Sequence, residues 1–281
     1  MSYATLMVHL ALGQTNAGVL QVAHDLAGIF DAHVIGIAVR RPIEIGYGDG
    51  FIYGDGMVAP GFIDQGRSEL DAEAVTAERD FRARFAHRTD RISWRSLTTF
   101  AALADLLAIE ARNADLIISH IASHDLLDAT RRVDTGELVM QAGMSILVIP
   151  ATCGGLALSH LLMAWKDSRE ARRAATDALP LLKKASRVTI VALAAKDQLA
   201  ATEESVSQVI AWLGHHGIAA EKQVKESRGD DADQLNRIAH EHRADMIVAG
   251  AYGHSRMREW ALGGVTRDLL MREDRPALVS H

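Results

Sequence analysis

Hydrophobic and polar positions alternate along this chain on two scales. Short, continuous apolar runs are separated by longer stretches whose apolar residues recur every three or four positions. TLMVHLAL (5–12) reads as a buried strand, and NAGVLQVAHDLAGIF (16–30) places Val19, Val22, Ala23, Leu26 and Phe30 on one helical face. HVIGIAV is the next strand and 64–88 a long polar helix with a narrow apolar stripe. ISWRSLTTF, DLIIS and SILVIP are strands, with AALADLLAIEARNA a helix among them. The order then repeats. LSHLLMAW, RVTIVALA, IAAEKQVKES, DMIVAG and ALVSH read as strands, with helices over 168–185, 201–217 and 231–244 and a further helical stretch, VTRDLLM. Val/Ile/Leu runs joined by helices predict a parallel sheet covered on both faces.

The two halves also match locally. IEARNADLIIS parallels IAHEHRADMIVA, and GMSILVIP parallels DRPALVSH. A duplicated unit follows: two open, mostly parallel five-stranded α/β sheets of Rossmann-like type, over 1–152 and 156–281, divided at ATCGGLA. The first half carries an additional glycine-rich stretch, Arg41–Gly66, with YGDG twice. It lacks the closing Glu of a calcium loop and reads as a surface loop.

Composition narrows the function classes. Across 281 residues, 48% are apolar and 23% charged, as in soluble globular proteins. A net charge of -6 gives no basic field for nucleic acid. One cysteine, Cys153, excludes an intrachain disulfide. No apolar run is long enough to span a bilayer, and the N-terminal run has no basic flank. Neither a membrane nor a nucleic-acid partner is expected, and the location expected is cytoplasmic. His120 and His124 stand four apart in an expected loop, with one nearby acid, and no metal is assigned to them.

The segment GAYGHSRMREWALGGVT carries the most specific signal. After the strand DMIVAG it runs Gly250-x2-Gly253, nine residues, then Gly263-Gly264-Val265-Thr266. Ligands of open parallel sheets bind beyond the carboxyl ends of strands. Gly250 and Gly253 would let backbone approach a ligand, and 263–266 would offer unpaired N–H groups at a helix start. There is no Walker A loop and no GxGxxG after either first strand.

This spacing resembles the G-x2-G-x9-G-[ST] motif of the universal stress protein family, and the whole chain is similar to two consecutive family domains. The resemblance implies a stress-response or regulatory protein that binds ATP, with or without Mg2+. The contacts it implies come from Ala249, Gly250, Tyr252, Gly253, Gly263, Gly264, Val265 and Thr266. The end of the second half's first strand adds Ala164, Trp165, Lys166, Asp167 and Ser168, with adenine near Val191. Two positions depart from the family pattern: Gly264 replaces a hydroxyl residue, and Lys166 replaces an acid, with Asp167 one place later. Lys cannot accept hydrogen bonds from sugar or base, but it attracts phosphate. The first half has His120 and Ser123 where Gly250 and Gly253 would stand, and Gly13 at the acidic position, so no ATP is expected there. The resemblance also implies that the halves pair through their last strands, and it leaves room for a homodimer. The alternatives are a nucleotide-free interaction module, a slow ATPase or an adenylating enzyme. The signature motifs of adenylating enzymes are absent after both first strands, so no catalytic residue is assigned.

Overall fold

The computed structural model describes residues 2–42, 60–121, 131–251, 264–271 and 274–281. In the first half the elements are β1 (Thr5–His9), α1 (Ala17–Phe30), β2 (His33–Arg40), α2 (Pro60–Arg84), β3 (Ile92–Thr98), α3 (Leu103–Glu110), β4 (Leu116–His120), α4 (Thr135–Gln141) and β5 (Ile146–Ile149). The second half contains β6 (His160–Ala164), α5 (Arg169–Asp177), α6 (Leu179–Leu182), β7 (Arg187–Ala194), α7 (Leu199–His215), β8 (Glu221–Glu226), α8 (Asp231–Glu241), β9 (Met246–Gly250), α9 (Gly264–Met271) and β10 (Ala277–Ser280).

Each half is a five-stranded parallel sheet, and the two join edge to edge. The strand order is β3-β2-β1-β4-β5-β10-β9-β6-β7-β8. All pairings within a half are parallel; β5 and β10 pair antiparallel, with Leu147 opposite Leu278. Successive side chains on a strand point to opposite faces. Leu6 and Val8 therefore enter one apolar cluster and Met7 the other. Helices α1, α2, α5 and α7 cover the first cluster; α3, α4, α8 and α9 cover the second.

Polar contacts tie the halves beside the β5–β10 ladder. The buried Ser145 and Ser280 hydroxyls lie 2.8 Å apart, and Ser145 Oγ donates to Asp177 Oδ2 at 2.8 Å. The Tyr3 hydroxyl donates to the Asp177 carbonyl at 2.6 Å, and burial holds its pKa well above the usual phenol value. Arg173 pairs with the Asp177 carboxylate at 2.9 Å and donates to Gly143 O at 3.1 Å. The connecting segment is pinned as well: the Leu156 N–H donates to Asp25 on α1 at 3.0 Å.

Two local expectations need correction. Residues 60–66, read as the end of a glycine-rich loop, form the first turns of α2, which starts at Pro60. Proline suits a first helical position, where its missing N–H is not needed. The two YGDG repeats lie outside the described residues. The single helix expected over 168–185 is two, α5 and α6, with Pro180 in the first turn of α6. Its missing N–H interrupts the ladder.

Gly36 on β2 has no room for a side chain. A Cβ there would stand 2.7 Å from Trp94 and 2.8 Å from Phe81. Replacing it with valine should destabilise the chain by about 1–3 kcal/mol, the usual range for overpacking. Urea unfolding of the variant against the parent protein measures this.

Candidate functional site

In a sheet of this order the carboxyl ends of β6 and β9 form a switch point. The chain leaves β6 for α5 on one face and β9 for α9 on the other, the arrangement at which ligands of open parallel sheets bind. Ala164 lies opposite Ala249 across this pair. Lys166 follows β6 as an exposed residue, and Gly250 ends β9. Helix α9 begins at Gly264, so Gly264, Val265 and Thr266 form its first turn. Thr266 is buried, and Val265 packs on the same apolar cluster as Leu269. Tyr252, Gly253 and Gly263 lie outside the described residues, as does His124.

Several of the sequence candidates have structural duties here. Trp165 is buried in the cluster beneath α5 and α7, and its indole N–H donates to Ser205 at 3.1 Å. Its main-chain N–H donates to Val191 O at 2.7 Å, and the Val191 side chain is buried on the opposite face. Ser168 caps α5, accepting from the Ala171 N–H at 3.3 Å, which satisfies one helix-end donor. The Asp167 carboxylate accepts two hydrogen bonds from Arg172, at 2.5 and 3.1 Å. Among the described residues no carboxylate pairs with Lys166, its neighbour.

Gly250 is fixed by packing. A Cβ there would lie 2.4 Å from Ala171 N and 2.5 Å from Glu170 C, on the backbone of α5's first turn. The glycine permits β9 and α5 to touch, and Glu170 is buried at this contact.

The corresponding end of the first half has different chemistry. His9 at the end of β1 and Ser119 on β4 are both buried, with Nδ1 and Oγ 3.2 Å apart. His120 Nε2 lies 2.8 Å from Asn16 Oδ1. Burial, and then the neighbouring His120, lowers the His9 pKa to about 3; burial, and then Arg132, lowers that of His120 to about 4. His9, Gln14, Ser119, His120 and Arg132 line a cavity of about 20 Å3. Sequence reading did not single out His9 or Ser119. The available signal was a histidine inside an otherwise apolar strand run. Elsewhere, His240 lies 2.9 Å from Asp274, and the imidazole of His160 contacts the His242 carbonyl at 2.9 Å.

The Universal stress protein family model matches residues 158–281. The second half of the chain is a universal stress protein domain. Comparison with curated proteins found no match. Among solved structures, a universal stress protein from Archaeoglobus fulgidus DSM 4304 is similar over 99% of this chain and 98% of its own, with TM-score 0.74 and 13% identity. A putative universal stress protein from Pseudomonas aeruginosa UCBPP-PA14 covers 99% of this chain and 93% of its own, with TM-score 0.63 and 14% identity. At these identities the likeness establishes the fold over both halves. Among the described residues no helix is long and apolar enough to cross a membrane.

Two outcomes follow. Gly250→Ala should lower the melting temperature of the ligand-free protein, because the added Cβ meets backbone, and scanning calorimetry without nucleotide reads this directly. The depressed histidines set an acid limit. Below about pH 6.5 the unfolded chain protonates His9 and His120 while the folded chain does not. Stability from these two groups is therefore complete above that pH and is lost as pH falls toward about 4 and then about 3. Urea midpoints measured from pH 7.5 to pH 4 should fall, and His9→Phe should flatten the slope.

Proposed function

We propose that the second half binds an adenine nucleotide, ATP, at the carboxyl ends of β6 and β9, and that the protein acts as a nucleotide-responsive regulator in the stress response. The observation that carries this reading is the position of the glycine frame. It starts at the carboxyl end of β9, on a switch point, within the half that matches the family. The first turn of α9, which begins at Gly264, supplies main-chain N–H groups suited to phosphate oxygens. The two sheets act as two domains, 1–152 and 156–281, and the nucleotide belongs to the second. Mg2+, where present, is held by the phosphates. The expected location is the cytoplasm.

Lys166 and Asp167 decide what is recognised. Arg172 holds Oδ1 of Asp167 and offsets its charge, which leaves Oδ2 as the acceptor for ribose or base. Lys166 is exposed and adds positive charge at the same strand end. Recognition then rests on phosphates more than on adenine.

Mass spectrometry of denatured, freshly purified protein should release an adenine nucleotide. Calorimetry with ATP, GTP and adenosine provides the quantitative test. Lys166→Ala should weaken ATP by about tenfold to a hundredfold, the effect of about 1.5–3 kcal/mol for a charged contact, and should leave adenosine nearly unchanged. Added salt should weaken ATP binding to the parent protein. Gly263→Val should abolish ATP binding, since a side chain would occupy phosphate space. Equal ATP affinity in the parent protein and both variants would remove the site and favour a nucleotide-free interaction module.

A further inference from the structure

We propose that the cleft at the carboxyl ends of β1 and β4 binds a small oxyanion by one of its oxygens, and that binding takes up a proton on His120. The site is separate from the nucleotide reading of the second half, and neither depends on the other.

The argument starts from Asn16. Its Oδ1 accepts from the Ala11 N–H at 2.9 Å and its Nδ2 donates to Ala11 O at 3.0 Å, so the backbone fixes which end of the amide is which. Only an acceptor therefore faces His120 Nε2 at 2.8 Å, and that nitrogen carries the proton. In the neutral ring the remaining polar atom, Nδ1, is a bare lone pair. His9 is buried beside it and bonded to Ser119. Among the described residues lining the cavity, the one full charge is Arg132. Among the described residues no carboxylate pairs with Arg132, whereas the adjacent Arg131 is held by Glu73 at 3.0 Å.

These groups select the ligand. A metal cation would meet the Arg132 guanidinium, and a nucleobase is far too large for a cavity of about 20 Å3. That space admits one water-sized group. An oxyanion fits, with one oxygen inside and the rest at the mouth. It neutralises Arg132, and the Gln14 amide lining the cavity is a further donor. The bare His120 Nδ1 opposes the anion until it is protonated, and Nδ1–H then becomes a donor. Among the described residues, the charged and titratable groups around His120 are His9 from β1 and Arg132 ahead of α4. The Arg131–Glu73 pair beside Gly13 is already neutralised. Burial and Arg132 hold His120 neutral in the empty site. An anion beside Arg132 offsets its repulsion, so binding strengthens as pH falls.

The test is a histidine-ring NMR titration of the full chain with sodium sulfate, whose charge is constant between pH 5.5 and pH 7.5. The His120 signal is assigned from its loss in His120→Gln. Sulfate should shift this signal toward the protonated form, saturably, with affinity about tenfold tighter at pH 5.5 than at pH 7.5. The response should be lost in Arg132→Gln, kept in Arg132→Lys and unaffected by Lys166→Ala. Melting temperatures confirm that the variants fold. Sodium formate in place of sulfate distinguishes a planar carboxylate from a tetrahedral ion, and a response to either supports the site. No shift with either ion, or an equal shift in Arg132→Gln, overturns it.

Discussion

A parallel five-stranded sheet ends in strands whose outer backbone groups have no partner, and such edges invite association with other chains. In this protein one edge from each half is consumed by the antiparallel β5–β10 ladder. The rest of the architecture depends on that pairing. It makes one ten-stranded sheet, places Ser145, Ser280 and Asp177 against one another, and brings Tyr3 at one end of the chain to the last residue of α5. The edges left outside are β3 and β8. Of these, β8 reads EKQVKE, and its charges discourage further strand addition.

Within this frame, the two halves share one backbone layout and differ in side-chain chemistry. Both halves place the ends of their first and fourth strands side by side. In the second half that junction holds Gly250 and an exposed lysine. In the first it holds a buried histidine, a half-buried one, a serine and an arginine. A strand terminus is a suitable place for such divergence, because the sheet's hydrogen bonds fix the main chain whatever side chains are present.

The alternation of apolar runs and amphipathic stretches was enough to read the succession of strands and helices in each half and the parallel character of its sheet. Strand hydrogen bonding and helix burial leave a local imprint with a fixed period. The start of α2 was hidden because glycines near Pro60 argued for a loop, while the proline itself favours a helix start. Gly250 was read as making room for a ligand. Its steric neighbour is the backbone of residues 170 and 171, a contact with no local signature. His9 and Ser119 were passed over for the same reason. Each is one polar letter in an apolar run, and only the β1–β4 pairing brings them together.

The antiparallel seam also fixes direction. All strands of the first half run one way and all strands of the second half run the other. The carboxyl ends of β1 and β4 therefore open at one rim of the sheet, and those of β6 and β9 at the opposite rim. A molecule seated at one rim cannot touch the other, and charge placed at one is screened from the other by the intervening solvent. Any communication between the two rims must travel through the shared sheet, as strain or as a change in its rigidity. The two sets of strand ends thus stand back to back on one stiff partition.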